Sequence, residues 1–553
     1  MGNCLTVSLS KSKTLGIETL FKLPSPLPSW PPGEGFATGV IDLGGGLQVS
    51  QISSFTKVWS TNEGGPGNLG ASFFEPSSLP EGFHSLGFYC QPNNTPLFGW
   101  TLAAKQDDPS TEILKSPVDY TLVWNSESLK IKKEGNGYFW LPTPPDGYKS
   151  TGFVVTTSPQ KPSVHKIRCV RSDFTDECEV DTWIWGPSKT NDANGFNTYG
   201  LRPRNRGKEA RGVRVGTFIA QNGGGGATTL PSSLACLKNT NSSITSSMPN
   251  KNQIDAIFQA YSPFLYFHPD EKYLPSSVTW YFTNGALLYQ KTEEMGSKPD
   301  PIPIESNGSN LPQGGKTDGA YWLDLPIDEK EKERVKKGDL QSSEVYLHVK
   351  PMLGGTFTDI AIWFFYPFNG PSKAKFPFFD VPLVCIGQHI GDWEHLTLRV
   401  SNFNGELWRA YFSQHSGGTW VDASELEFHS GNKLVAYASL NGHALYPKPG
   451  LVLHGRGVIR LRNDTEKSEL TMDMGSRYSV VAAEYLGSDI ISEPPWLNYF
   501  RKWGPKIDYR IAAVLKKLAK FLPCLDRLPS EIFGEEGPTG PKQKEPHWSE
   551  DER

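Results

Sequence analysis

Residues 385–400 read CIGQHIGDWEHLTLRV. The second half has the apolar and β-branched residues of a buried strand, yet His389, Asp392, Glu394 and His395 crowd its start. Successive strand side chains alternate between faces. Asp392, Glu394, Leu396, Leu398 and Val400 therefore share one face, and Trp393, His395, Thr397 and Arg399 the other. The three apolar residues make the first face the buried one. Two carboxylates at the mouth of that core repel each other unless a cation or a donor lies between them. Gly391 lets the chain bend and bring the His389 imidazole to the same point. Carboxylate oxygens grouped in this way suit a hard divalent cation such as Ca²⁺, Mg²⁺ or Mn²⁺. The alternative is a structural pair satisfied by Arg399, Arg409 or backbone amides. His415 and His443 end predicted strands beside glycine and could close around the cluster, or be satisfied rim histidines. His268-Pro269-Asp270-Glu271 reads as a solvated acidic turn.

Other chemistries find no support. Gly44–Gly46 and Gly223–Gly226 lack a following Lys-Ser/Thr and a βαβ setting, so no phosphate loop is expected. No Gly-x-Ser-x-Gly elbow or His-Glu-x-x-His helix occurs. The net charge is −4 with no long basic run, which argues against nucleic acid as a partner. The seven cysteines are scattered without a Cys-x-x-Cys pair, as expected of reduced thiols in a cytosolic protein. No run reaches the ~18 apolar residues of a membrane-spanning helix.

The elements that must position the cluster read as β throughout. Aromatics make up 12% of 553 residues, with 55 Gly and 44 Pro, a mix that favours short strands and tight turns. A repeat organises the first part. ASFFEPSSLPEGFHSLGFYC (71–90) matches NGYFWLPTPPDGYKSTGFVV (136–155), with Gly82 and Gly147 65 residues apart. The same step reaches Gly212 in a degraded third copy, where Phe218 matches Phe88 and Phe153. Trp59 and Trp124 share the spacing, and Trp183 or Trp185 is the third member. One such sheet cannot bury its own apolar face, but three about a pseudo-threefold axis can. The expectation is an all-β protein of two domains. Residues 36–220 form a β-prism of three sheets with about four strands each. Residues 254–505 form an antiparallel β-sandwich with short helices, joined by a flexible linker over 221–253. A prism can bind sugars, lipids or proteins, and the fold does not choose. The pattern Ile254, Ile257, Phe258, Tyr261 predicts a helix opening the second domain. Residues 506–523 predict an amphipathic helix with a lysine-rich face, suited to docking or to a membrane surface. Residues 524–553 predict a disordered tail.

The chain begins MGNCLT, in a segment taken as 1–35. Gly2 with Thr6 fits N-myristoylation, and Cys4 stands where a palmitoyl group could be added. One myristoyl chain binds membranes only marginally, so the second signal is physically needed.

Two resemblances bear on these residues. Gln388–Glu394, QHIGDWE, is similar to the Gly-His-Arg-His-Asp-Trp-Glu heptapeptide of the necrosis- and ethylene-inducing-peptide-like toxins. Those are β-sandwiches that hold a divalent cation at the rim and bind sphingolipid head groups. The resemblance places His389, Asp392 and Glu394 on the cation-site His, Asp and Glu. In WFFYPFNG, Asn369 takes the place of an upstream Asp, which removes a charge. Gly391 replaces the second His. Over nearly its whole length the chain resembles the plant branch of the vacuolar protein sorting-associated protein 62 family. MGNC, GFATGVIDLGGGLQVSQI, YSPFLYFHPDEKYLPSSV, GDWEH, SLNGHALYPKPG and GEEGPTGPK carry that likeness. It implies a trafficking role and supplies no reaction.

The expected protein is a non-enzymatic, acyl-anchored peripheral membrane protein on the cytoplasmic face of the plasma membrane or endomembranes. Its divalent cation would be held by His389, Asp392, Glu394 and Asn369. Its partner would be a lipid head group, a glycan or a trafficking protein. The alternatives are a metal-dependent hydrolase of a lipid or glycan using His389, Asp392, Glu394 and His443, and a scaffold whose polar cluster is structural.

Overall fold

The computed structural model describes residues 20–192, 195–223, 230–291, 299–375, 380–382, 387–415, 417–455, 460–507 and 537–552. Short antiparallel strands dominate it, as the turn-rich composition predicts. In the first part three antiparallel sheets surround one aromatic core. They comprise Phe55–Ser60, Ala71–Pro76 and Tyr89–Pro92; Asp119–Asn125, Tyr138–Thr143 and Val154–Thr156; and Cys178–Trp185, Phe196–Pro203 and Phe218–Asn222. Each has three strands rather than about four, because the remaining short strands of each repeat pair in separate sheets.

The 65-residue step has a physical basis at the centre. Phe88 N donates to Phe153 O at 3.0 Å, and Phe153 N donates to Phe218 O at 3.3 Å, so equivalent backbones touch in turn. Gly87 and Gly152 permit that approach: a Cβ on Gly152 would lie 2.5 Å from Thr217 Cβ. Trp185, not Trp183, is the third tryptophan of the core, with its ring 5.8 Å from Trp59 and 5.9 Å from Trp124.

The 221–253 stretch is not a free linker over its described second half. Cys236–Lys238 pairs with both Thr175–Asp176 and Gly212–Val213. Leu234, Leu237, Ile244 and Met248 are buried. Apolar residues spaced among the Ser, Thr and Asn give this segment a face to bury, which the overall composition masks. A core containing Val49, Leu102, Val213 and Leu237 continues into Met352, Phe357 and Trp408, so the two halves share packing.

The second part is built on a six-stranded sheet. Its order is Gly417–Asp422, Leu407–Gln414, His389–Ser401, Phe357–Asn369, Val345–Met352 and Tyr478–Ala482. One face packs Ile360, Ile362, Phe364, Leu396, Leu398 and Val400 against a second sheet and the helix Lys251–Tyr261. That helix buries the four predicted apolar residues and starts with a capping box formed by Asn250 and Gln253.

The opposite face is buried as well. Trp363, Phe365 and Trp393 lie under Trp496, Trp503 and Trp548. The expected disordered tail is overturned over 537–552, which lies as a strap across the sheet. Trp548 is buried and stacks on His348 at 3.8 Å. Lys350 Nζ donates to the carbonyls of His547 at 2.7 Å and Glu550 at 3.0 Å. Lys350, Asp359, His395, Thr397 and Arg399 would be costly to bury alone. The strap supplies partners for Lys350, His395, Thr397 and Arg399, and Arg399 in turn pairs with Asp359, and that requirement holds a polar, proline-rich segment in place. Residues 508–523 of the predicted amphipathic helix, and 524–536, lie outside the described residues.

Candidate functional site

The strand His389–Ser401 carries the cluster, and its register fixes the faces. Asp392 stands opposite Tyr366 and Glu394 opposite Phe364, so both carboxylates point to the face of Leu396, Leu398 and Val400, as alternation predicts. The neighbouring strand pairs with it only from Leu396 onward. The carboxylates therefore sit where the sheet splits. Gly391 has φ +67°, and a Cβ there would lie 2.5 Å from Trp503 O, so this bend needs glycine.

Three carboxylates and an imidazole converge. His443 Nδ1 lies 3.0 Å from Asp392 Oδ2, and its ring stacks on Tyr366 at 3.7 Å. His443 Nε2 is 4.0 Å from Glu271 Oε1 and has no hydrogen-bond partner among the described residues. Ser413 Oγ donates to Glu394 Oε2 at 2.5 Å. Asp392, Glu394 and His443 are 6%, 8% and 0% exposed, so neither charge nor proton is held by bulk water. Burial, then the charge on Asp392, push the Glu394 carboxyl up to about 8. Burial also pushes Asp392 up, but the bond to His443 and the nearby imidazole and Lys544 charges outweigh it and hold it below the ordinary value. Burial opposes charge on His443 too, yet Asp392 and Glu271 raise it. The pattern is a carboxylate favoured in its ionised form beside an imidazole whose protonation that charge favours, next to a carboxyl pushed towards its protonated form.

Sequence reasoning missed Glu271. It is not a solvated turn residue: it is buried and accepts from Lys272 N and Tyr273 N at 2.9 Å each and from Asn441 N at 2.6 Å. Lys544 was also missed. Its ammonium bonds the Trp393 carbonyl at the open strand edge and acts on both Asp392 and Glu394. The strap thus already brings one cation to the rim.

The other predicted ligands are placed less favourably. His389 Nδ1 is paired with Gly391 O at 2.8 Å, though its ring is close enough to Asp392 for their charges to interact. Asn369 Nδ2 donates to Gly370 O at 3.1 Å and Gly387 O at 2.6 Å, which orients the amide through its nitrogen. His415 does not join the cluster; it bonds Asn463 at 3.1 Å and packs against His454. Among the described residues, the group with ligand atoms all within 4.8 Å is His395, His547 and Glu552, under the strap. There the Glu552 carboxylate already accepts from Thr397 at 2.9 Å and meets both imidazoles, which satisfies it without an ion. For a hard cation, Asp392, Glu394 and Glu271 supply suitable oxygens, and His443 Nε2 is a further donor once its proton is lost; the Asn369 bonds run through Nδ2, not through the carbonyl oxygen that a cation would use. Gly2 and Cys4 lie outside the described residues.

Residues 17–552 match the family model described as vacuolar protein sorting-associated protein 62. The chain belongs to that family. No curated protein matches it. Solved structures with partial likeness include GNIP1Aa from Chromobacterium piscinae, at 18% identity and TM-score 0.29, over 39% of this chain and 40% of that one. The non-toxic HaNLP3 protein follows at 12% identity and TM-score 0.22, over 43% and 75%. NLPPya in complex with glucosamine gives 15% and 0.20, over 38% and 70%. This vacuolar protein sorting-associated protein 62 family member thus spans 40% of the length of GNIP1Aa, and likeness at these scores says nothing of activity. No helix among the described residues is long and apolar enough to cross a membrane.

Proposed function

We propose that this protein is a non-enzymatic peripheral membrane component of vacuolar sorting, in which the sandwich binds a divalent cation and, through it, a lipid head group or partner. Family membership supports the sorting role. One observation supports the cation reading: the buried carboxylates Asp392 and Glu394 lie beside His443, whose Nδ1 meets Asp392 at 3.0 Å and whose Nε2, with no hydrogen-bond partner among the described residues, lies 4.0 Å from Glu271. Asp392, Glu394 and Glu271 would hold the ion, with His443 beside them. The ion would replace the proton on Glu394 and supply a positive centre for an anionic or hydroxyl-rich ligand. Acylation at Gly2 and Cys4 would supply the anchor at the cytoplasmic face.

The His443–Asp392 pair also has the form of an imidazole base oriented by a carboxylate, which favours the hydrolase reading. The full burial of His443 under Tyr366 weighs against it, because a base must reach an attacking water. Calorimetric titration of Ca²⁺, Mg²⁺ and Mn²⁺ into the full chain and Asp392→Asn tests the proposal. The full chain is required because the strap and residues 20–32 pack on the sandwich. Binding lost in the variant supports the site; equal binding, or none by either, contradicts it. Turnover of a lipid or glycan lost in the same variant would favour the hydrolase.

A further inference from the structure

The crevice between the two halves of the chain contains a cavity of about 510 Å³. Phe21, Leu23, Phe98, Trp100, Leu407 and Trp408 form its apolar walls. The Trp100 and Trp408 rings meet edge to face at 5.3 Å, which gives the floor a fixed shape. The volume falls within the roughly 300–1,000 Å³ typical of sites that enclose a small organic molecule.

The chain itself indicates the occupant. Leu20, the first described residue, lies on the cavity rim and bridges to Leu97, with Phe21 N donating to Leu97 O at 3.0 Å. Residues 2–19 connect this rim to Gly2. Fully extended they reach at most roughly 60 Å, far more than a return to the rim requires. The segment starts with Gly2-Asn3-Cys4-Leu5-Thr6, the pattern for attachment of a myristoyl chain. We propose that this cavity is the retracted seat of a myristoyl group on Gly2. The inference rests on the acyl-anchored reading above and adds its regulation.

A single myristoyl chain partitions into membranes with a constant of only about 10⁴ M⁻¹, so an intramolecular seat competes with the bilayer. If nine chains in ten are retracted, apparent membrane affinity falls about tenfold. Whatever loosens Leu20–Leu27 from the crevice then frees the anchor.

The test uses the full chain co-expressed with an N-myristoyltransferase, and Gly2→Ala as the non-acylated control. Intact mass reports acylation. Amide exchange is read at Leu20–Leu27 and Phe98–Trp100. Co-sedimentation uses phosphatidylcholine vesicles containing phosphatidylserine. Ser53, an exposed rim residue, is changed to Trp to plug the cavity. Leu27→Trp, at another exposed lining residue, replaces it if the first plug lowers the melting temperature. The acylated chain should exchange more slowly at both segments than Gly2→Ala. The plug should raise vesicle binding about tenfold in the acylated chain and leave Gly2→Ala unchanged. An acylated chain with unchanged exchange, or a plug without effect on vesicle binding, overturns the seat while leaving the anchor intact. A chain that accepts no acyl group overturns both.

Discussion

Arg399→Met would leave two buried carboxylates without the guanidinium between them. Arg399 donates to Asp359 through Nε and Nη2, both at 2.7 Å, and through Nη2 to Asp551 of the strap. The side chains of Arg399, Asp359 and Asp551 are 3%, 0% and 8% exposed, so water cannot take over. Removing one partner of such a group costs about 3–5 kcal/mol. Asp551 keeps Arg206 at 3.1 Å, so Asp359 carries most of the loss. Burial already raises the Asp359 carboxyl above its ordinary value despite Arg399. Without Arg399 it rises further and the group takes a proton. A carboxyl with a raised folded-state pKa adds stability below its unfolded value and loses it as pH rises. Acid therefore relieves the variant, and the deficit at pH 7 should fall by about half at pH 5. Urea denaturation followed by tryptophan fluorescence at both pH values measures it, with amide exchange at Trp548–Glu552 reporting the strap. A deficit below about 1 kcal/mol at pH 7, or one that grows in acid, refutes the reasoning.

Three further outcomes follow from the same geometry. Trp548→Ala should cost about 3–5 kcal/mol and open residues 537–552 to proteolysis; a strap that stays protected contradicts its anchoring by Trp548. Gly152→Ala should cost about 1–3 kcal/mol by overpacking against Thr217, and adding Thr217→Gly should recover most of it in thermal melts. Glu394, raised to about 8, stabilises the fold below its unfolded value, and this contribution is lost as pH rises through about 8. The wild-type melting temperature should therefore fall between about pH 5 and 8, and Glu394→Gln should flatten that fall; an unchanged slope would show that the carboxyl is not held protonated.

Alternation along Asp392–Val400 was legible because strand geometry is local, and the repeat was legible because Phe88, Phe153 and Phe218 keep one step. Glu271 was not, because its role is set by Asn441, 170 residues away, and a short acidic turn carries no local sign of burial. The strap was not, because its Pro, Gly and charged residues read as solvated. Its partners Lys350, His395 and Arg399 lie on a sheet face that alternation alone assigns to the polar side. For Asn369 the position was legible, but not that its Nδ2 would donate to the Gly370 and Gly387 carbonyls and so orient the amide.

The central claim is that Asp392 and Glu394 form part of a cation site. Calorimetric titration of Ca²⁺, Mg²⁺ and Mn²⁺ into the full chain beside Asp392→Asn tests it most directly. The account predicts saturable one-to-one binding of at least one of these ions that disappears in a variant of unchanged melting temperature. No binding by the wild type, or the same binding by a folded Asp392→Asn, would contradict it and leave the cluster a structural network of three carboxylates and a histidine.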